Sequence, residues 1–110
     1  MLNWISLTEE GQLDVIAKSK GPYMIFKHST SCSVSKMVKR NFESDSDLLP
    51  QAIPVYYLDL IRYRSLSNRI SKDFGVRHES PQLLLIENGT CEYSASHDSI
   101  DAADVASRLV

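Results

Sequence analysis

Cys32 lies in the run Ser29-Thr30-Ser31-Cys32-Ser33-Val34-Ser35, between an apolar stretch of strand length and an amphipathic stretch of helical spacing. A cysteine at a helix N-terminus meets free backbone N–H groups and the positive end of the helix dipole. Both favour the thiolate, which is the nucleophilic form of sulfur. The hydroxyls of Ser31, Ser33 and Ser35 keep the surroundings polar, and Ser31 or Ser35 is in reach to bond the thiolate. Lys36, four residues after Cys32, returns to the same helix face, where its charge stabilises the thiolate or attracts an anionic substrate. Three residues after Cys32, where a dithiol motif carries its second sulfur, there is Ser35. The pattern predicts redox chemistry with one working sulfur. The alternative is an inert buried thiol, the common fate of free cysteine. Four serines and a threonine around Cys32 argue against so apolar a site.

The elements that must position Cys32 read as follows. Asn3 to Ser6 is a short edge strand, and Thr8 is the N-cap of a helix with a stripe at Leu13, Ile16 and Ala17, stopped by Gly21-Pro22. Tyr23 to Phe26 is a strand buried on both faces, with His28, a satisfied structural histidine, at its end. Val34, Met37, Val38 and Phe42 predict a core-facing helix. A loop from Ser44 to Pro54 leads to the strand Val55 to Leu60. The stripe Tyr63, Leu66, Ile70 and Phe74 predicts a helix closed by Gly75. Pro81 opens the strand Gln82 to Ile86, Asn88-Gly89 marks a hairpin turn, and Thr90 to Ser94 pairs back. Asp101 caps a last helix through Ala102, Val105, Ala106 and Leu109. Alternating strands and helices predict parallel pairs covered on both faces, with the hairpin as an antiparallel edge.

The bulk of the chain narrows the function classes. Its 110 residues make one domain, 1–110. A net charge of −2 gives no overall attraction to nucleic acid, and no apolar run is long enough to span a membrane. The segment Met1 to Ser6 has neither the basic nor the apolar part of a secretory leader. Two cysteines, Cys32 and Cys91, are too few for a disulfide framework, and no cluster has metal-ligand spacing, so no metal is expected and a reducing cytoplasm fits. Cys91 begins a strand and reads as a packing residue. No acidic residue occurs between Asp14 and Glu43, a stretch holding Lys18, Lys20, Lys27, Lys36, Lys39 and Arg40, with Cys32 in its middle.

Three segments carry a family resemblance: Lys27-His28-Ser29-Thr30-Ser31-Cys32-Ser33-Val34-Ser35, His78-Glu79-Ser80-Pro81-Gln82, and Ser96-His97. In this order and spacing they resemble the thioredoxin-like superfamily over essentially the whole chain, and are similar to the YtxJ family of monothiol bacilliredoxin-like proteins, from bacteria that use bacillithiol. The resemblance implies an α/β thioredoxin-like fold, with a mixed central sheet of four to five strands flanked by helices on both faces. It implies a cis bond at Ser80-Pro81 facing Cys32, and substrate contacts at Ser80, Pro81, Ser96 and His97. Bacillithiol or a related low-molecular-weight thiol is the implied co-substrate, and S-thiolated proteins are the implied clients. Two departures stand out. Ser33 replaces the family's usual proline, and Phe26 stands where thioredoxins proper carry a buried acid. Both point away from general disulfide reduction. Two other functions fit the pattern: a glutathione-linked monothiol glutaredoxin, which bridges an iron–sulfur cluster, and a redox-inert peptide-binding module.

Overall fold

The computed structural model describes residues 2–50 and 52–109, so Met1, Gln51 in the Ser44–Pro54 loop and Val110 lie outside it. The elements run β1 (Trp4–Ser6), α1 (Glu10–Lys18), β2 (Tyr23–His28), α2 (Ser33–Ser44), β3 (Val55–Asp59), α3 (Arg64–Phe74), β4 (Gln82–Glu87), β5 (Thr90–Ser96) and α4 (Ala102–Ser107). Short 3-10 turns occupy Ser46–Leu48 and Ser99's segment, His97–Ser99. The five strands form one sheet in the order β1-β3-β2-β4-β5. β1, β3 and β2 are mutually parallel, whereas β4 is antiparallel to both β2 and β5. The helix-connected strand β4 therefore does not extend the parallel part, contrary to the alternation rule.

Successive residues of a strand face opposite sides of its sheet, and β2 divides its side chains accordingly. Met24 and Phe26 enter one core with Val38 and Phe42 of α2 and Val105 of α4. Ile25 enters the other, with Leu13 and Ile16 of α1 and Leu66 and Ile70 of α3. Helices thus cover both faces, as expected. Each large apolar side chain so buried contributes roughly 1.5–3 kcal/mol. On the α2 side, Trp4, Phe26 and Phe42 form an aromatic cluster with ring centroids 5.6 to 6.3 Å apart.

Several boundaries and faces differ from expectation. The N-cap of α1 is Glu9, not Thr8. Glu9 and Gln12 form a capping box, and the Gln12 side chain also accepts the Thr8 N–H at 2.8 Å. Helix α2 buries Ser35, Val38 and Phe42, leaving Val34 and Met37 exposed at 46% and 55%. The helix is therefore rotated away from its most apolar stripe. The loop before β3 contains the 3-10 turn Ser46–Leu48. Other signals match: Gly75 closes α3 in the left-handed region with φ +63°, and the Asp101 carboxylate accepts the Ala103 N–H. Asn88 and Gly89 have φ of +53° and +72°, the two positive values a tight hairpin turn needs.

Candidate thiol site

Cys32 is the N-cap of α2, in extended conformation with φ −106° and ψ 121°. The parallel register ends β2 at His28 beside Asp59, and a short turn, in which the Cys32 N–H donates to the Ser29 carbonyl at 3.2 Å, leads into the helix. The Cys32 carbonyl accepts the first helical bond, from the Lys36 N–H at 3.1 Å. Cys32 thus stands at the helix end whose first-turn N–H groups have no intrahelical partner, and its side chain makes no capping hydrogen bond with them. Cys32 is half-buried and takes part in no disulfide. The first turn holds no acidic residue. Lys36 is exposed on that turn, Ser33 is its first residue, and Ser31 faces Ser29 with hydroxyls 3.4 Å apart.

Ser35 is fully buried and turned toward β2. Its hydroxyl lies 2.7 Å from Nδ1 of His28 and accepts the Ser29 N–H at 3.1 Å. The side chain therefore ties the helix start to the strand end, and its bonds go there and not to the thiol. A buried hydroxyl at this position also explains the rotation of α2, because a polar group left unpaired in the core would cost about 1–3 kcal/mol. His28 is packed edge-on against Tyr57, with ring centroids 5.6 Å apart. Burial, with Lys39 and Lys36 nearby, lowers its proton affinity below the ordinary histidine range, against the pull of Asp59 and Glu43. Lys39 itself is held 3.0 Å from Glu43, over the rings of Trp4 and Tyr57.

The second motif arrives from the neighbouring strand. Lys27 pairs with Gln82 across the antiparallel β2–β4 ladder, so the residues before Gln82 lie at the end of β2 that leads to Cys32. The Ser80-Pro81 peptide bond is cis, and Pro81 is buried. The third motif meets the second there. Ser96 pairs with Gln82, and the His97 N–H donates to the Pro81 carbonyl at 2.9 Å. His97 adopts φ +55°, rare for a non-glycine residue, and the turn His97–Ser99 packs against α2. The three motifs are thus gathered at one end of the sheet.

Cys91 is elsewhere, on β5, half-buried against the α1–α3 core. Its thiol donates to the Tyr93 carbonyl at 3.3 Å, and burial raises its proton affinity above the ordinary thiol range. At the expected acid position, Phe26 is fully buried among aromatic rings. Lys27, part of the first motif and of the acid-free stretch around Cys32, is fully buried. The signal was present: a lysine inside a strand whose neighbours all enter the core. Among the described residues no helix is long and apolar enough to cross a membrane, and no group of three or more His, Cys, Asp or Glu could hold a metal ion.

Comparison with known proteins bears on the family and the fold. The family described as monothiol bacilliredoxin BrxC matches residues 5–105. A solved structure described as a proposed oxidoreductase with a thioredoxin fold superposes with a TM-score of 0.83 at 29% identity, covering 97% of this chain and 94% of the other. A thioredoxin from Trypanosoma brucei brucei gives 0.76 at 10% identity over 97% and 88% of the two chains. A thioredoxin variant from Halobacterium salinarum gives 0.69 at 15%, over 96% and 87%. At those identities the two thioredoxins speak to the fold alone, and the fold is that of thioredoxin.

Proposed function

Because the chain belongs to the monothiol bacilliredoxin family, we propose that it removes bacillithiol, or a related low-molecular-weight thiol, from mixed disulfides on S-thiolated client proteins. Cys32 is the attacking sulfur. Its thiolate displaces the client's sulfur from the small thiol. One S–S bond breaks, another forms between Cys32 and the small thiol, and the client leaves as a thiolate that takes a proton. A second small thiol, or the thiol of a separate redoxin, then attacks the small-thiol sulfur of that adduct and releases Cys32 as a thiolate. No net oxidation of the protein remains after one cycle.

The observation that carries this reading is the pairing of Cys32 at the N-terminus of α2 with Ser35 turned inward to His28. The site then has a nucleophile and no neighbouring sulfur to resolve its adduct, so a small external thiol must do so. Ser31, Ser33 and Lys36 are the supporting polar groups, and Lys36 suits a thiol that bears carboxylates. The backbone of Ser80 beside Pro81 serves an extended partner, with Ser96 and His97 next to it, where the His97 N–H bonds the Pro81 carbonyl. A reducing cytoplasm is the compartment such chemistry requires.

The test is mass spectrometry of the protein isolated from its native host, together with turnover of an S-bacillithiolated protein in vitro. The expected result is a bacillithiol adduct on Cys32 and turnover lost in Cys32→Ser. An adduct confined to Cys91, or full turnover by Cys32→Ser, would overturn the assignment. Glutathione as the only accepted thiol would move the protein to the glutaredoxin reading, and no turnover at all would favour the peptide-binding module.

A further inference from the structure

Lys27 is a fully buried cation in the middle of the fold, and the mechanism above does not use it. Its ammonium carries three N–H donors and meets three acceptors: the Ser67 carbonyl at 3.2 Å, the Ser71 hydroxyl at 3.2 Å and Nδ1 of His78 at 3.4 Å. Among the described residues no carboxylate lies within ion-pair distance of it. An apolar side chain would fill this strand position without the penalty of a buried, uncompensated charge. What the lysine adds is a grip on the segment that follows α3.

Its cross-strand neighbour Gln82, also buried, grips the same segment. The Gln82 amide donates to the Arg77 carbonyl at 2.9 Å and accepts the Glu79 N–H at 3.4 Å. Two adjacent polar side chains on β2 and β4 therefore hold residues 77, 78 and 79 in succession, and the chain passes directly from there to Ser80 and Pro81. His78 is exposed on its outer side, so this inward contact, with the Ser67 hydroxyl 3.3 Å from the same nitrogen, is what anchors it. Arg64 and Glu79 are the other charged groups facing the ring, and burial, Lys27 and Arg64 together outweigh Glu79 in keeping it neutral and able to accept.

We propose that Lys27, acting through His78, is a positioning residue that sets the Ser80–Pro81 backbone against which the client is held. The proposal rests on the reductase reading for its catalytic consequence. Its structural consequence is separate.

The experiment uses Lys27→Met and His78→Ala in the full chain. His78→Ala, at an exposed position, repeats the test without a change in the core. Both variants should raise KM for an S-bacillithiolated protein about tenfold with kcat within about twofold, the loss expected when a partner is held less well and the chemistry is intact. Alkylation of Cys32 by iodoacetamide should stay within about twofold, since the thiol itself is not touched. Hydrogen exchange at the Glu79 amide should quicken at least about tenfold in each. His78→Gln, which restores an acceptor, should recover both readouts. Unchanged KM and exchange in folded variants would overturn the proposal. So would a parallel fall in alkylation and kcat, which would place Lys27 with the thiol. If the unmodified protein turns over no mixed disulfide, the reductase reading fails, and the Glu79 exchange rate alone decides for or against the positioning role.

Discussion

The Ser35 hydroxyl lies 2.7 Å from Nδ1 of His28, joining the first turn of α2 to the last residue of β2. The same oxygen accepts the Ser29 N–H at 3.1 Å. The residue that replaces a second sulfur is thus a structural tie beneath the thiol, and its removal has a predictable cost. Ser35→Ala leaves the His28 nitrogen and the Ser29 N–H without their partner. Urea unfolding should show a loss of about 1–3 kcal/mol, the range for a buried polar group left unsatisfied.

Cys32 and Cys91 should differ sharply in reactivity. Cys91 is held protonated by burial on β5, while Cys32 is half-exposed to reagent at a helix N-terminus. At pH 7, iodoacetamide labelling of the native protein should disappear in Cys32→Ser and hardly change in Cys91→Ser. Equal labelling of both sulfurs would contradict this.

With no sulfur near Cys32 to resolve a mixed disulfide, the unmodified protein should reduce insulin no faster than free small thiols do. Ser35→Cys should add some dithiol activity. It should also cost about 1–3 kcal/mol, because the larger sulfur must enter a packed position that Ser35 now fills with two hydrogen bonds. Turbidity assays and urea midpoints on the same preparations separate the two effects.

Lys27 should give stability an unusual alkaline profile. Burial lowers its proton affinity from a pKa of 10.5 to about 8 in the folded state. Between these values the unfolded chain binds more protons, so stability rises with pH across that window. Below pH 8 both states are protonated and the full penalty applies; above 10.5 neither is, and the penalty vanishes. The shift corresponds to about 3 kcal/mol. Lys27→Met should therefore be at least as stable as the unmodified protein at pH 7, and this advantage should shrink between pH 8 and 10.5. Urea midpoints of the pair across pH cancel the contributions of other titrating groups.

Gly89 should not tolerate a side chain. Its φ is +72°, and a Cβ would run into the carbonyl oxygen of Ala17, where the β4–β5 turn leans on α1. The Asn88 N–H, bonded to the Lys20 carbonyl at 2.7 Å, holds the turn there. Gly89→Ala should cost more than about 1 kcal/mol, since strain at positive φ adds to the collision. Thermal unfolding reads the loss.

Much of this molecule was written in local patterns. Apolar runs and helical stripes marked the strands and helices, and Asn88-Gly89, Gly75 and Asp101 marked ends and turns by the conformations they favour. The polar run around Cys32 marked the candidate site, because a helix N-terminus is a local feature that needs only the residues beside it. Three motifs in order sufficed to indicate the family and, through it, the fold.

What those patterns left open was decided between elements. Periodicity says which residues share a face but not which face turns inward. Val34 and Met37 therefore looked like core, until a buried hydroxyl at Ser35 found its partner seven residues back, on β2. Strand direction was also open. β4 lies on the side of β2 away from β3 and runs antiparallel to it, and this lays Gln82 beside Lys27 and the Pro81 carbonyl under the His97 N–H. The burial of Lys27 was the least legible feature. A charged group can enter a core only where acceptors await it, and here they come from Ser67, Ser71 and His78, 40 to 51 residues further along the chain. Only the folded sheet and α3 together bring them within reach.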